Sequence, residues 1–313
     1  MTVAPTAAPQ RIFVTGATGV VGVHALPLLI SQGHEVIAIG RSAEKRARLQ
    51  AIGARAVELD PFDVEAARLA LDGVTTVINL ATHMPSSSFQ MMLPWKWREN
   101  DLIRREGSAA FVQASLSAGV QRFIQESFAP IYEDGGDKWI DESWPLRPAP
   151  YNRTALDAEH SAVHFTTQGR IGIIARFAGF YGPDAMLREM IGVVKKGYSP
   201  LPGAFTSYWS SVAHEDAATA IVALTSAPAG AYNISDDEPL SRRDFAGAIA
   251  KAVGAKEPKP MPGFLAALGG NTMELLSRSQ RMSNARLKAA TGWSPRWRSA
   301  REGIPATIAQ LAD

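Results

Sequence analysis

Three glycines near the start of the chain, Gly16, Gly19 and Gly22, recur at intervals of three residues. They lie between a β-branched run at 11–15 and an apolar stretch at 20–30 whose pattern predicts a helix. Gly16 permits a tight turn, Gly19 lets the backbone approach a pyrophosphate, and Gly22 lets the helix pack on the strand. A helix N-terminus presents free N–H groups and a positive dipole end, so we expect a dinucleotide phosphate site rather than a plain turn.

The residues after the second expected strand, 34–39, bear on the choice of cofactor. No acidic side chain stands there to hold a ribose diol, because the sequence continues with Gly40, Arg41 and Ser42. An arginine can instead pair with a 2′-phosphate through charge-assisted hydrogen bonds. Arg41 therefore predicts NADP(H) in preference to NAD(H). The alternative is that Arg41 belongs to the solvated start of a basic helix.

The elements that must position these residues alternate along the chain. Strands are expected at 11–15, 34–39, 56–59, 76–81, 121–125 and 171–175, and helices at 20–30, 42–51, 65–71, 96–118 and from residue 151 onward. This alternation predicts an α/β Rossmann fold with a doubly wound parallel sheet. We expect a flexible leader at 1–10, a dinucleotide-binding core at 11–175, and at 176–313 mainly a smaller C-terminal substrate-binding lobe with segments returning to the core.

Composition narrows the class of protein. The 313 residues are 46% hydrophobic and 20% charged, which is typical of a globular protein. The net charge is only +2 and no cysteine is present, which argues against a nucleic-acid partner and excludes disulfides and thiolate chemistry. No apolar run approaches the roughly 18 residues of a membrane span. We therefore expect a cytoplasmic protein that binds a small molecule and no membrane.

Several segments repeat, in order, the pattern of one protein family. The sequence reads TGATGVVG at 15–22, NLAT at 79–82, FYGP at 180–183, VAHEDAA at 212–218, SNARL at 283–287 and GWSP at 292–295. This series resembles the extended or atypical short-chain dehydrogenase/reductase family, often labelled NAD-dependent epimerase/dehydratase. The resemblance implies a nicotinamide cofactor that is lined, together with Arg41, by Gly16, Thr18, Gly19, Val20, Gly22, Asp60, Leu80, Ala81 and Thr82.

The catalytic pair of that family is only half present. The family places a lysine four residues after a tyrosine; the tyrosine exchanges a proton with the substrate, and the lysine holds the nicotinamide ribose and lowers the tyrosine pKa. Here Tyr151 is followed by Ala155, and no other tyrosine has a lysine at that spacing. A protonated Tyr151 can still donate a proton, which favours reduction. The alternative is that Tyr151 only packs on its helix.

Ser127, expected after the fifth strand, aligns less clearly with the family pattern. Ser127 stands where the family orients the substrate oxygen, but Glu126 replaces the usual second hydroxyl. Tyr132 follows Ser127 by five residues where the family commonly spaces four, so the register stays open. Ser127 is either a substrate contact or a plain loop serine.

Aromatic and methionine-rich loops predict an apolar substrate pocket, or else core packing or a subunit contact. The candidate substrate residues are His83, Met84, Trp95, Arg176, Phe205 and Trp209. Arg176 can equally form a surface ion pair. Arg104 is expected to have a structural role on the face of its helix rather than a catalytic role. His160 and His164 would suit a metal pair if a third ligand converged, but the glutamate of an H-E-x-x-H motif is absent, so no metal site is predicted.

Together these features predict an NADP(H)-dependent oxidoreductase that reduces a carbonyl or an activated double bond of a mostly apolar small molecule. Two alternatives remain. One is an epimerase or dehydratase that uses bound NAD(P) transiently, and the other is a non-catalytic NADP(H)-binding sensor. A homodimer is compatible with the sequence.

Overall fold

A computed structural model describes residues 9–85, 87–262 and 270–311, so residues 1–8 of the expected leader lie outside the described residues. In chain order the strands are β1 (Arg11–Thr15), β2 (Glu35–Ile39), β3 (Arg55–Val57), β4 (Thr76–Asn79), β5 (Arg122–Phe128), β6 (Trp139–Ile140), β7 (Ile171–Phe177), β8 (Gly179–Tyr181), β9 (Tyr208–Trp209), β10 (Ser211–Ala213), β11 (Gly230–Ile234), β12 (Leu240–Ser241) and β13 (Arg281–Met282).

The described helices, in the same order, are α1 (Gly22–Ser31), α2 (Ala43–Ala51), α3 (Val64–Ala70), α4 (Ser88–Met91), α5 (Arg98–Leu102), α6 (Ser108–Ser117), α7 (Thr154–Thr167), α8 (Ala185–Lys195), α9 (His214–Leu224), α10 (Arg242–Ala252), α11 (Gly270–Ser277), α12 (Ala285–Thr291) and α13 (Ala300–Gln310). Short 3-10 turns lie at Pro94–Trp97, Ala129–Ile131 and Pro150–Asn152. No helix within the described ranges has the length and apolar character needed to cross a membrane.

Seven parallel strands form the central sheet in the order β11-β7-β5-β4-β1-β2-β3. Ile12 of β1 pairs with Val36 of β2 on one side and with Thr76 of β4 on the other. The strand order therefore reverses direction at β1, and the crevice at the carboxyl ends of β1 and β4 is where such sheets bind ligands. This confirms the predicted Rossmann-type α/β fold.

Helices cover both faces of the sheet. Alternate residues of the strands point to opposite faces, so Ile12 and Val14 pack toward α1 and α9, whereas Phe13 packs toward α3 and α6. A third apolar cluster, which includes Tyr181 and Trp209, joins α8, α10 and α13 beyond the sheet. The division into a core at 11–175 and a lobe at 176–313 stays a prediction, although β11 and α9 are segments of the second part that return to the sheet.

Two predicted elements differ from the structure near the crevice. The single helix expected at 96–118 is instead α5, a π-helical turn at Ile103–Gly107, and α6, preceded by the Pro94–Trp97 turn. Hydrophobic periodicity cannot reveal one extra residue in a helical turn. The helix expected from residue 151 begins at Thr154, because Pro150 starts a separate 3-10 turn that holds Tyr151.

Candidate active site

The glycine loop between β1 and α1 brings backbone close to backbone. Gly16 has φ +66°, and a Cβ atom there would lie 2.3 Å from the carbonyl oxygen of Leu80. At Gly22 a Cβ atom would lie 2.5 Å from the carbonyl oxygen of Ala17. Helix α1 begins directly after this loop and has no side-chain cap, which leaves the positive end of its dipole available to an anion. This geometry is compatible with a dinucleotide pyrophosphate, and the phosphate-binding role of the loop stays a prediction.

A chain of polar side chains ties the loop to the neighbouring strand ends. The Thr15 hydroxyl donates to the Asn79 side-chain oxygen and accepts from the backbone N–H of Ala81. Asn79 in turn donates to Gln125 at 2.8 Å and to Ser108 at 3.3 Å. These buried bonds fix the ends of β1, β4 and β5. They therefore hold Leu80, Ala81 and Thr82 beside the glycine loop, with Thr18, Gly19 and Val20 at its surface.

The outer end of the crevice carries the predicted cofactor-selecting residue. Arg41 follows β2, and its half-exposed guanidinium lies 3.4 Å from Glu99 of α5. The same carboxylate lies 3.4 Å from Nδ1 of His83. Asp60 is exposed and accepts a hydrogen bond from its own loop, at the backbone N–H of Phe62. Arg41 is thus available to an anion, with Glu99 as a weak competing partner.

Tyr151 lies against an aromatic residue and a C-terminal helix. Its ring packs on the buried Trp97 with ring centroids 4.7 Å apart, and its hydroxyl hydrogen-bonds with Thr272 of α11. Burial raises the pKa of Tyr151, which keeps the phenol protonated at neutral pH. Ala155, one helical turn later, is fully buried. Tyr151 is therefore a neutral phenol in this structure, and its role as proton donor stays a prediction.

Two buried arginines act on this tyrosine electrostatically. Arg278 pairs with Glu274 at 2.8 Å and Arg104 pairs with Glu126 at 2.7 Å. Both positive charges favour the ionised form of Tyr151 and so act against the burial that raises its pKa. Arg104, for which a structural role on a helix face was expected, is buried, with a side chain only 1% exposed.

Ser127 and Arg176 belong to a second buried network. The Ser127 hydroxyl donates to Glu159 at 2.6 Å, and Arg176 binds the same carboxylate through Nε at 2.9 Å and Nη2 at 2.7 Å. Arg176 also donates to the Tyr132 hydroxyl, which donates to Asn233. The expected surface ion pair of Arg176 is wrong, since the residue is buried. Substrate contacts of Ser127 and Arg176 stay predictions that would require these bonds to break.

The predicted substrate residues lie in different surroundings. Met84 is half-buried near the end of β4, whereas Trp95 is 57% exposed. Phe205 stacks under the guanidinium of Arg243. Trp209 is buried and fills the space left by the absent side chain of Gly179, so it packs within the lobe. Trp97, from the same aromatic loop as Trp95, is the residue that reaches Tyr151.

Sequence reasoning missed the residues that surround Tyr151 from the C-terminal part of the chain. Thr272, Glu274 and Arg278 follow Tyr151 by more than 100 positions, and the sequence around them carries no recognisable motif. At position 126 the sequence has a glutamate where the family usually has a residue with a hydroxyl group. That departure was a usable signal, because a buried carboxylate requires a partner such as Arg104.

Comparisons with known proteins agree with this geometry. The model of the NAD dependent epimerase/dehydratase family matches residues 12–235. A 3-diazoavenalumate denitrifying reductase from a Streptomyces species is 27% identical over 305 residues, which cover 94% of this chain and 99% of that protein.

Two further similarities come from one curated relative and one solved structure. A 4-hydroxy-2-methyl-3-oxo-4-farnesyl-3,4-dihydroquinoline-1-oxide ketoreductase from Stigmatella aurantiaca is 25% identical over 257 residues, covering 79% of this chain and 74% of that protein. The structure of a dTDP-glucose 4,6-dehydratase from Streptomyces venezuelae, with NAD bound, has a TM-score of 0.77 at 21% identity and covers 97% of each chain. The structural likeness supports a shared fold.

Proposed function

The chain belongs to the NAD-dependent epimerase/dehydratase family, and we propose that it is an NADP(H)-dependent reductase of a carbonyl or activated double bond on a mostly apolar small molecule. Family membership and the reductase and ketoreductase relatives make it an enzyme of the NAD(P)-dependent oxidoreductase type. The NADP(H) preference, the direction of the reaction and the substrate class are the parts that we propose.

The environment of Tyr151 carries this proposal. Its burial raises its pKa, and α7 holds Ala155 where a lysine would stabilise a tyrosinate. A phenol that stays protonated has a proton to donate but cannot act as a base, so reduction is favoured over reactions that begin with proton removal by this tyrosine. When bound, the reduced nicotinamide supplies the hydride for the acceptor carbon. Tyr151 supplies the proton to the oxygen of a carbonyl acceptor. For a conjugated double bond, it supplies the proton to the atom on which negative charge develops after hydride transfer.

The glycine loop and Arg41 suit two parts of the cofactor, its central pyrophosphate and its adenosine 2′-phosphate. Side chains at Gly16 or Gly22 would collide with the protein backbone, so these glycines let the loop pack tightly in the conformation that we propose for the pyrophosphate site. Arg41 lies after β2 with a guanidinium that is 57% exposed. A 2′-phosphate offers it a stronger partner than the carboxylate of Glu99, because it carries more negative charge and more acceptor atoms. We therefore assign NADP(H).

The apolar substrate is inferred from the residues around Tyr151. Trp97 packs on the tyrosine ring, and its indole N–H donates to the Met91 carbonyl at 2.9 Å, which fixes the methionine-rich loop beside the phenol. Thr272 donates to the same carbonyl at 3.3 Å. The relative from Stigmatella aurantiaca is named for a substrate with a farnesyl chain. Both observations favour a hydrophobic acceptor over a sugar nucleotide.

Cofactor oxidation tests the proposal directly. The protein is incubated with NADPH and a panel of aromatic and aliphatic ketones and enones, and the loss of reduced nicotinamide is followed by absorbance. Turnover of at least one hydrophobic acceptor is the expected result. If NADPH binds in calorimetry but no acceptor is reduced, the chain is a ligand-binding protein. Thermal stabilisation by dTDP-glucose alone would favour an epimerase or dehydratase instead.

A further inference from the structure

One carboxylate links the ends of two strands across the cofactor crevice. Oε1 of Glu99 lies 3.4 Å from Nη1 of Arg41, which follows β2. The same oxygen lies 3.4 Å from Nδ1 of His83, which follows β4. Both strands pair with β1, whose carboxyl end leads into the glycine loop. The contact therefore reaches across β1, the strand at which the sheet order reverses and ligands bind.

Helix α5 holds His83 through two neighbouring residues. The backbone N–H of His83 donates to Oδ1 of Asn100 at 3.0 Å, and Asn100 is fully buried. Glu99, the preceding residue of α5, approaches the imidazole ring. The backbone bond does not depend on the His83 side chain. The ring can therefore change its partner while the loop after β4 stays in place.

The spacing of the two nitrogens suits a single anion. Because they share one oxygen, Nη1 of Arg41 and Nδ1 of His83 lie no farther apart than twice 3.4 Å. A phosphate carries three acceptor oxygens on one phosphorus, so it can accept a hydrogen bond from each side at once. An arginine always donates, and an imidazole has at least one N–H even when neutral. Charge-assisted hydrogen bonds are usually about 2.7–2.9 Å long, so Glu99 holds neither nitrogen at full strength.

The arginines of α2 already have close acidic partners. Arg46 pairs with Glu58 at 2.7 Å, and Arg48 pairs with Glu44 at 2.8 Å. Arg41, at 3.4 Å from its carboxylate, is held more loosely than either. Of these three arginines, Arg41 is therefore the one most easily taken over by a ligand.

The bridge through Glu99 is exposed to solvent and is easily replaced. The side chains of Arg41, Glu99 and His83 are 57%, 50% and 49% exposed. Exposed ion pairs contribute little stability. A phosphate offers more negative charge and more acceptor atoms than a carboxylate, and its charge would repel Glu99. The Glu99 side chain has open solvent to turn into when it is displaced.

We propose that His83 and Arg41 together bind the 2′-phosphate of NADP(H), and that Glu99 holds the position which this phosphate takes. This inference rests on the proposed function, in which Arg41 selects NADP(H). It assigns His83 to the cofactor rather than to the substrate pocket. Glu99 keeps the two side chains together until the phosphate displaces it.

Fragments of the adenosine end of the cofactor test this assignment. 2′,5′-ADP carries the 2′-phosphate, 5′-AMP lacks it, and neither contains nicotinamide. In calorimetry, His83→Ala should weaken 2′,5′-ADP binding about fivefold and 5′-AMP binding less than about twofold, because one exposed hydrogen bond to the phosphate is lost. His83→Asn keeps a donor close to the position of Nδ1 and should stay within about twofold of wild type. His160→Ala, at an exposed histidine of α7, is the control and should change neither affinity.

Two further variants test whether the site is shared. Combining Arg41→Gln with His83→Ala should reduce the preference for 2′,5′-ADP over 5′-AMP to about one. Glu99→Gln should strengthen 2′,5′-ADP binding by up to about fivefold and leave 5′-AMP binding within about twofold of wild type. All three side chains are about half exposed, so these variants are expected to fold.

Three results would overturn the assignment. Equal weakening of both nucleotides by His83→Ala would mean that His83 contacts a part that they share. No weakening of either nucleotide would remove His83 from the anion site and leave it to the substrate. A gain from Glu99→Gln that is equal for both nucleotides would reduce Glu99 to a general effect of charge.

The wild-type protein separates this inference from the proposed function. If it binds 2′,5′-ADP no more tightly than 5′-AMP, the preference for NADP(H) fails and the inference fails with it. If it prefers 2′,5′-ADP and only Arg41→Gln removes that preference, the proposed cofactor stands and the role of His83 is wrong. These measurements need no substrate, so their outcome does not depend on turnover.

Discussion

Replacing Arg41 with glutamine tests the adenosine end of the site. The guanidinium is more than half exposed and lies 3.4 Å from Glu99. Such an exposed ion pair contributes about 0–1 kcal/mol, so it is easily given up to a phosphate. Hydrogen bonds to charged groups contribute about 1.5–3 kcal/mol, which solvent screening here reduces to about 1–2 kcal/mol. We therefore expect Arg41→Gln to weaken NADPH binding about tenfold and to leave NADH binding unchanged.

Two further variants make the cofactor test specific. Glu99→Gln removes the competing carboxylate and should strengthen NADPH binding by up to about fivefold, because the exposed pair is worth at most about 1 kcal/mol. Arg48→Gln is the matched control, since Arg48 lies on α2 after Arg41, is exposed, and pairs with Glu44 at 2.8 Å. It should change NADPH binding less than about twofold.

Isothermal titration calorimetry of both reduced cofactors at one fixed salt concentration provides the affinities. The reasoning is refuted if wild type binds NADH as tightly as NADPH. It is also refuted if Arg41→Gln weakens both cofactors equally, because Arg41 would then contact a part that they share. A loss of the same size for Arg48→Gln would indicate a general effect of positive charge rather than a phosphate contact.

Three other predictions concern the loop, the buried network and pH. Gly16→Ala places a Cβ atom 2.3 Å from the Leu80 carbonyl oxygen, at a residue with positive φ. Calorimetry should therefore show cofactor binding weakened about tenfold or more. Wild-type affinity in this variant would contradict the prediction. Ser127→Ala removes a hydrogen bond to Glu159, so urea unfolding should show a free energy of unfolding lower by about 1 kcal/mol, with activity within about threefold of wild type. A hundredfold loss of activity would instead make Ser127 a substrate contact. Burial raises the pKa of Tyr151, so the phenol stays protonated through neutral pH. Reduction rates should therefore be flat between about pH 6 and 9, whereas oxidation rates should rise up to about tenfold per pH unit. A reduction rate that falls near pH 7 would contradict this reasoning.

The glycine loop shows why one end of the site was predictable from sequence. Strand, loop and helix are contiguous there, and steric limits at Gly16 and Gly22 act between near neighbours or adjacent strand ends. The parallel, doubly wound sheet followed from the alternation of strands and helices, because parallel crossovers have few allowed arrangements. Local spacing therefore carried enough information for the fold, and it is also the basis of the predicted phosphate site.

The catalytic end depends on contacts between distant parts of the chain. Thr272 and Arg278 reach Tyr151 only through tertiary packing, and the π-helical turn that points Arg104 inward leaves no mark in hydrophobic periodicity. Ser127 was expected after the fifth strand, but it lies within β5 and its hydroxyl donates to Glu159. A strand residue's face depends on register, which the sequence left open.

The most direct test of the account is the catalytic effect of Tyr151→Phe. kcat/KM is measured with NADPH and the best acceptor from the panel, beside Tyr198→Phe as a control at an exposed tyrosine. Loss of the proton donor should lower kcat/KM about 10²–10⁴-fold, whereas Tyr198→Phe should retain wild-type activity and both variants should bind NADPH normally. A loss below about threefold for Tyr151→Phe would mean that another group or water supplies the proton, and Tyr151 would then serve only packing.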